Sequence, residues 1–216
     1  MPNLILLALP SNHTAGVQPD YSTAKAMVAD NDLALGQIVE GLTKSQFWPK
    51  MAIFVVEDDA QDGVDHVDGH RTVALVISPY ARNGTIDSTF YTQQGMLKTI
   101  ELILGLPTMS LFDLIAQDMR PSFSNQPNLV TFTAEQPKQS LFEKNPPLKT
   151  MRGRQRKDAL ASMAMRWDVP DAAPTEKLNR ILWRSVMGEK VKYPKVQHSI
   201  FSPMAVDTAD EDRDGK

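Results

Sequence analysis

The run Met51-Ala52-Ile53-Phe54-Val55-Val56, closed by Glu57-Asp58-Asp59, is a short apolar stretch that ends abruptly in charge. Apolar residues without alternation are the pattern of a strand covered on both faces, as in a parallel α/β sheet. Leu4 to Leu9 upstream has the same pattern, and Ser11 to Asp20, with its polar, Gly and Pro residues, is the loop that follows it. Between the two strands, Ala24, Met27, Val28, Leu35, Ile38, Val39 and Leu42 recur at helical spacing and predict a helix over Tyr21 to Leu42. Asn31 falls on the same stripe, expected as a hydrogen-bonded polar group under a loop, with a direct catalytic role as the competing reading. Thr72 to Ser78 is a third strand, stopped by Pro79. Strand, helix, strand is the order of a βαβ unit with right-handed crossover, so the expected architecture is α/β with a parallel sheet. One tension is visible at once: Leu4 to Leu9 lies almost at Met1, and a central strand needs neighbours on both sides.

Further along, Thr92 as N-cap and Gly105 as terminator bracket a helix with Met96, Leu97, Ile100, Ile103 and Leu104 on its face. Beyond Leu106 the prolines Pro121, Pro127, Pro137, Pro146 and Pro147 break up any long period. This stretch is expected to be irregular chain wrapping the domain, with a short strand at Leu129 to Phe132. Two helices follow, near Gln155 to Arg166 and from Pro174 to the stop at Gly188, the second with Leu178, Ile181, Leu182 and Val186 on one face. The acidic tail from Ala205 is expected to be disordered. The expected organisation is thus residues 1–120 as an α/β half-domain, 121–204 as its Pro-rich wrap and helical extension, and 205–216 as the tail.

With 216 residues, 42% hydrophobic and 23% charged, the chain is an ordinary globular composition. Its net charge of −3 argues against a nucleic-acid partner, which needs a concentrated basic face. The one dense basic cluster, Arg152 to Lys157, is explained by a solvated helix start. There is no cysteine, so disulfides and thiolate metal sites are excluded. Leu4 to Leu9 is too short to span a bilayer and lacks the flanks of a signal peptide, so neither a membrane span nor an export signal is expected.

Histidines 13, 66 and 70 share the first third of the chain with the acidic run Glu57 to His70. Two adjacent carboxylates at the C-terminal end of an apolar strand sit where ligands of open α/β sheets bind. Without a counter-charge they repel each other and lose hydration, and a divalent cation removes that cost. Carboxylates with imidazoles and no thiolate suit Zn²⁺, Mn²⁺ or a related ion. Neighbouring strand-end residues face opposite ways, so Asp58 and Asp59 serve either two metals or one metal and an orienting hydrogen bond. Composition alone leaves a solvated acidic loop as the competing reading. Arg71 and Arg82 are candidates either for a bidentate clamp on phosphate oxygens or, for Arg71, for pairing with the acidic loop. Asp210 to Gly215 mimics the start of an EF-hand loop but lacks the closing Glu. His198 is expected at the surface, and Trp48, Trp167 and Trp183 in packing roles.

The segment Glu57 to Tyr80, EDDAQDGVDHVDGHRTVALVISPY, resembles the phosphoesterase family that includes bacterial phospholipases C and acid phosphatases, within the alkaline-phosphatase superfamily, and most of all its branch often fused behind a β-propeller. Leu9-Pro10-Ser11-Asn12-His13-Thr14 is similar to the family's Leu-Pro-Asn-Asp-His-Thr motif, with Asn12 in place of an acid. Met27 to Asp32 and the helix around Asn179 to Trp183 match as well. The resemblance implies an alkaline-phosphatase-like parallel-sheet sandwich and hydrolysis of a phosphate ester at a divalent metal centre. It implies Asp58, Asp59, His66 and His70 as metal ligands or, for the histidines, phosphate contacts, and His13 beside the phosphate or the metal. It also implies that the Thr or Ser nucleophile and an acidic first ligand lie upstream of the matched segment. The chain is therefore expected to be an N-terminally truncated half, with a missing N-terminal half or a fused β-propeller as partner, in a family often periplasmic or secreted. Ser11 and Thr14 are expected in loop or capping roles. The competing expectations are a catalytically silent metal- or phosphate-binding module and a structural domain acting only through partners.

Overall fold

The computed structural model describes residues 1–57, 72–169 and 172–193. Among these the chain forms α1 (Ala24–Thr43), β1 (Ile53–Val56), β2 (Ala74–Ile77), α2 (Gln93–Leu104), α3 (Leu111–Ile115), α4 (Gly153–Met163) and α5 (Thr175–Met187), joined by irregular chain and short 3₁₀ turns. Helices with a small two-stranded sheet are consistent with the α/β class. The chain divides into two compact units: Met1–Thr14, Lys25–Val56 and Val73–Glu143 form one, and Ala15–Ala24, Glu57–Thr72 and Lys144–Lys216 the other.

In the first unit, β1 and β2 pair antiparallel, Ile53 opposite Ile77 and Val56 opposite Ala74. The strands were expected in a parallel sheet, and this ladder corrects that. A parallel pair needs a crossover layer, and β1 and β2 are consecutive strands with no helical pattern between them, so the direct return is antiparallel. Leu4 to Leu9 forms no strand either: Leu4, Ile5, Leu6 and Leu7 are 49%, 47%, 85% and 68% exposed. The pattern marked residues suited to burial, but among the described residues no neighbouring strand meets their backbone groups. Ser78 Oγ donates to Met51 O at 2.8 Å and ties the exit of β2 to the entry of β1. Behind it, Pro79 is fully buried, and the chain around Phe123 lies alongside through Ser124 N–Tyr80 O (2.8 Å), Arg82 N–Ser122 O (2.9 Å) and a tilted Phe54–Phe123 ring contact at 6.2 Å.

The helix α1 buries Ala26, Ala29, Val39 and Thr43, while Val28 is exposed. The apolar stripe is thus turned from the expected face toward small residues. The reason is visible at Gly36, where a Cβ would lie 3.4 Å from the Ala134 side chain. Residues 132–134 run close along α1, and their amides are met by side chains of the helix: Phe132 N donates to Thr43 Oγ1 at 3.0 Å and Ala134 N to Glu40 Oε2 at 2.9 Å. The expected strand at Leu129 to Phe132 is not formed. The Phe132 amide is met by α1 and the Val130 amide by Asn128 Oδ1 at 3.2 Å, rather than by a ladder. Glu40 also pairs with Lys44, and that hydrogen bond, followed by the Ala134 amide, holds its carboxyl below the usual carboxylate range.

Thr92 caps α2 by accepting from Gly95 N at 3.2 Å, and Gly105 ends it in the left-handed region at φ 68°. Both ends are as the sequence predicts, but the buried face is Gly95, Met96, Thr99 and Glu101. Leu97, Leu102 and Ile103 are exposed. Polar contacts with the segment 114–119 set this rotation. Lys98 Nζ donates to Leu114 O and Ala116 O at 2.8 and 2.9 Å, and Thr99 Oγ1 accepts from Met119 N at 2.8 Å. Buried Asp118 holds Arg120 through both carboxylate oxygens.

The second unit is centred on Met151, Ala159, Ser162, Leu178 and Ile181, all buried. The left-handed Gly16 (φ 63°) lets residues 15–18 approach α4 so closely that Ser162 Oγ accepts from Val17 N at 3.0 Å. Asp158 of α4 and Arg184 of α5 form a two-pronged ion pair, both contacts at 2.8 Å. The tryptophans pack as expected. Trp48 is buried, Trp167 Nε1 donates to Ser162 O at 2.8 Å, and Trp183 meets Tyr193 edge-on.

Candidate functional site

The strand β1 ends at Val56, and β2 begins at Ala74 opposite it. Residues 57–73 are therefore a connection whose base is closed by the last rung of the ladder. In the chain the acidic and histidine-bearing segment follows β1. The expected metal ligands Asp58, Asp59, His66 and His70, and with them Arg71, lie outside the described residues. His198 and the Asp210–Gly215 stretch lie outside them as well.

His13 is described. It is exposed and follows the 3₁₀ turn Pro10–Asn12, its amide donating to Pro10 O at 3.2 Å. Proline at the first position presets that turn. Ser11 Oγ donates to Asp30 Oδ2 of α1 at 2.6 Å, so the hydroxyl anchors the turn to the helix, in line with a loop role for Ser11. Thr14, next to His13, has φ 64°. A β-branched residue in the left-handed region is a strained one, and such strain collects where a loop must hold a set shape. Replacing Thr14 by asparagine, which tolerates this region, is expected to raise stability by about 1 kcal/mol. An unchanged or lower urea midpoint would mean that the turn is not strained.

Arg82 was a candidate phosphate clamp. Its Nε donates to Phe123 O at 2.8 Å, which gives it an anchoring part in the first unit. Asn31 is half-buried on α1. Among the described residues no group of three or more His, Asp or Glu side chains converges as a metal site requires. Among the described residues no helix is long and apolar enough to cross a membrane.

Sequence reasoning missed the buried carboxyls Glu101 and Asp113. Glu101 sits beside Leu102 and Ile103 in a run that reads as a helix face, and nothing in the run marks it as buried.

No curated protein and no solved structure matches the chain. The model of the phosphoesterase family matches residues 17–107, a stretch that takes in α1, both strands, the whole 57–73 connection and α2, and over that stretch the chain is similar to proteins that cleave phosphate esters.

Proposed function

We propose that this chain contributes the metal- and phosphate-binding part of a phosphoesterase, a hydrolase acting on phosphate ester bonds. The observation that carries the reading is the phosphoesterase match over residues 17–107, which contains the acidic and histidine-bearing segment. In this reading Asp58 and Asp59 supply the negative charge that holds a divalent ion, Zn²⁺ or similar. His66 and His70 add imidazole nitrogens as metal ligands or phosphate contacts, and His13 lies beside the phosphate or the metal. The bound ion would supply Lewis-acid stabilisation of the charge on a transferring phosphoryl group. The strand end and the β1–β2 ladder support it by fixing where residues 57 and 73 emerge. The reading assigns no nucleophile among these residues, since Ser11 is engaged with Asp30 and Thr14 belongs to the strained turn.

The test is metal analysis of the purified chain after dialysis against Zn²⁺ or Mn²⁺, with and without the Asp58→Asn and Asp59→Asn changes. The chain is expected to retain a divalent ion, and the doubly changed form to bind it at least about 100-fold more weakly. Turnover of a chromogenic phosphate monoester is expected to be weak or absent. If the unchanged chain holds no metal, or holds it equally well without the two carboxylates, the solvated-loop reading wins. Chelator-sensitive turnover abolished by Asp58→Ala would instead show a complete catalytic site.

A further inference from the structure

In the first unit, the loop that leaves Arg82 brings an asparagine and a glycine together in the open. Asn83 and Gly84 are adjacent, and both are exposed. Upstream the chain is anchored at Arg82, whose amide donates to Ser122 O at 2.9 Å and whose Nε donates to Phe123 O at 2.8 Å. Downstream the next anchor is Asp87, which accepts from Thr89 N at 3.0 Å and from the Tyr91 hydroxyl at 2.7 Å. Between the two anchors, the amides and side chains of Asn83, Gly84, Thr85 and Ile86 make no hydrogen bond among the described residues, and Ile86 is 97% exposed. Gly84 lies in the left-handed region at φ 68°, and a Cβ on it would meet no atom within 4 Å. A stretch held only at its ends opens locally at little cost.

An asparagine side chain carries an electrophilic carbon within reach of the next backbone nitrogen. When that nitrogen gives its proton to hydroxide, it can attack the carbon and close a five-membered ring. In a folded chain two things prevent this: the amide is committed to a hydrogen bond, or the following side chain crowds the approach. At Gly84 neither applies. Every other asparagine of the chain meets at least one of these obstacles or lacks the nucleophile. Asn31 and Asn179 lie inside α1 and α5, where the next amide is held in the helical ladder. The amide after Asn12 is bonded to Pro10 O at 3.2 Å, and the one after Asn125 to Ser124 Oγ at 3.4 Å. Asn145 precedes Pro146, which has no N–H to lose. Asn3 and Asn128 precede leucines, whose branched side chains stand in the way.

We propose that Asn83 is a site of spontaneous deamidation, with the Gly84 nitrogen as nucleophile and water as the only co-reactant. The bond from Gly84 N to Asn83 Cγ forms, the Cγ–Nδ2 bond breaks, and the side-chain nitrogen leaves as ammonia. Water then opens the succinimide at one of its two carbonyls. Opening at Cγ gives aspartate. Opening at the main-chain carbonyl gives isoaspartate, whose backbone runs through Cβ and Cγ. The net change is asparagine plus water to a carboxylic acid plus ammonia, and no electrons change hands. Each conversion adds one negative charge beside Arg82 to the chain's formal −3. The extra backbone atom of the isoaspartate form falls between the Arg82 and Asp87 anchors, where nothing has to keep register. The surface charge therefore changes while the fold is kept. Because the attack needs a deprotonated amide, the rate rises with pH.

The experiment uses the full chain, incubated folded and in guanidinium chloride, each in mildly acidic and in mildly alkaline buffer. Cleavage after lysine releases the peptide Met51–Lys98, in which Asn83 is the sole asparagine. Each conversion raises its mass by about one unit, and fragmentation places the change. Isomerisation of aspartates in the same peptide leaves the mass unaltered and is not counted. Asn83 is expected to convert first among the asparagines of the folded chain, and faster in the alkaline buffer. Its folded rate is expected within about tenfold of the denatured rate, since local opening costs close to nothing there. The Gly84→Ala variant, whose Cβ hinders the attack, should lose most of the conversion. A folded rate more than about tenfold below the denatured one overturns the proposal, because the fold then protects the site. Earlier conversion of another asparagine, or equal conversion in Gly84→Ala, overturns it too. If strain at the left-handed position keeps that variant from folding, the comparison of folded and denatured parent decides alone.

Discussion

Replacing Gly95 by alanine is expected to destabilise the first unit by about 3 kcal/mol, although the same change in an exposed helix favours folding by about 1 kcal/mol. A Cβ on Gly95 would lie 2.2 Å from Gln117 O. That atom is backbone, so a side-chain rotation does not relieve the clash. The chain at 116–119 must move off α2, and its movement breaks the bond from Met119 N to Thr99 Oγ1. Both residues are buried, so the parted groups are left without water. Urea unfolding of the Gly95→Ala variant, with exchange at the Met119 amide as a local report, measures both parts of the effect. A variant as stable as the parent would show that residues 116–119 do not pack on α2 as described.

The second large effect belongs to the second unit. Arg184→Met is expected to cost about 2–4 kcal/mol, because it leaves Asp158 buried with its best partner removed. The guanidinium meets both carboxylate oxygens, and the two side chains are only 16% and 12% exposed. Arg154, 3.6 Å away on the same helix, remains and limits the loss. Arg184→Lys is expected to recover only part of it, since an ammonium cannot bridge two oxygens in one plane. The informative comparison is the double change Arg184→Met with Asp158→Leu. It removes the charge with its partner and is expected to return most of the stability. If the double variant is as unstable as the single one, packing of the Arg184 stem, not charge, holds α4 to α5.

The helices were legible because their end signals are local. Thr92 and Gly105 bound α2 as written in the sequence, and Pro174 and Gly188 bracket α5. Face assignments were less legible. The apolar pattern of α2 put Leu97, Ile100 and Ile103 inward, whereas the inward face is decided by what the partner segment offers. That segment offers backbone donors and acceptors near Gln117 and Met119, which Gly95, Lys98 and Thr99 meet. Strand direction was not legible at all. Leu4 to Leu9 and Met51 to Val56 carry the same apolar signature, but a run of apolar side chains says nothing about which neighbour its amides meet. Of the candidate site, Asp58, Asp59, His66 and His70 lie outside the described residues; the turn before His13 was legible, since it follows from Pro10. The burial of Glu101 and Asp113 left no trace, because neither residue breaks a pattern that its neighbours set.

The rung between Val56 and Ala74 has a consequence for how this chain can change over time. Once the two ends of a segment are pinned by a ladder, lengthening the segment adds only closure entropy, about 0.6 kcal/mol for each doubling. Insertions and deletions within residues 57–73 are then nearly neutral for the register of β1 and β2. By contrast, a single residue added inside either strand turns every side chain beyond it to the opposite face.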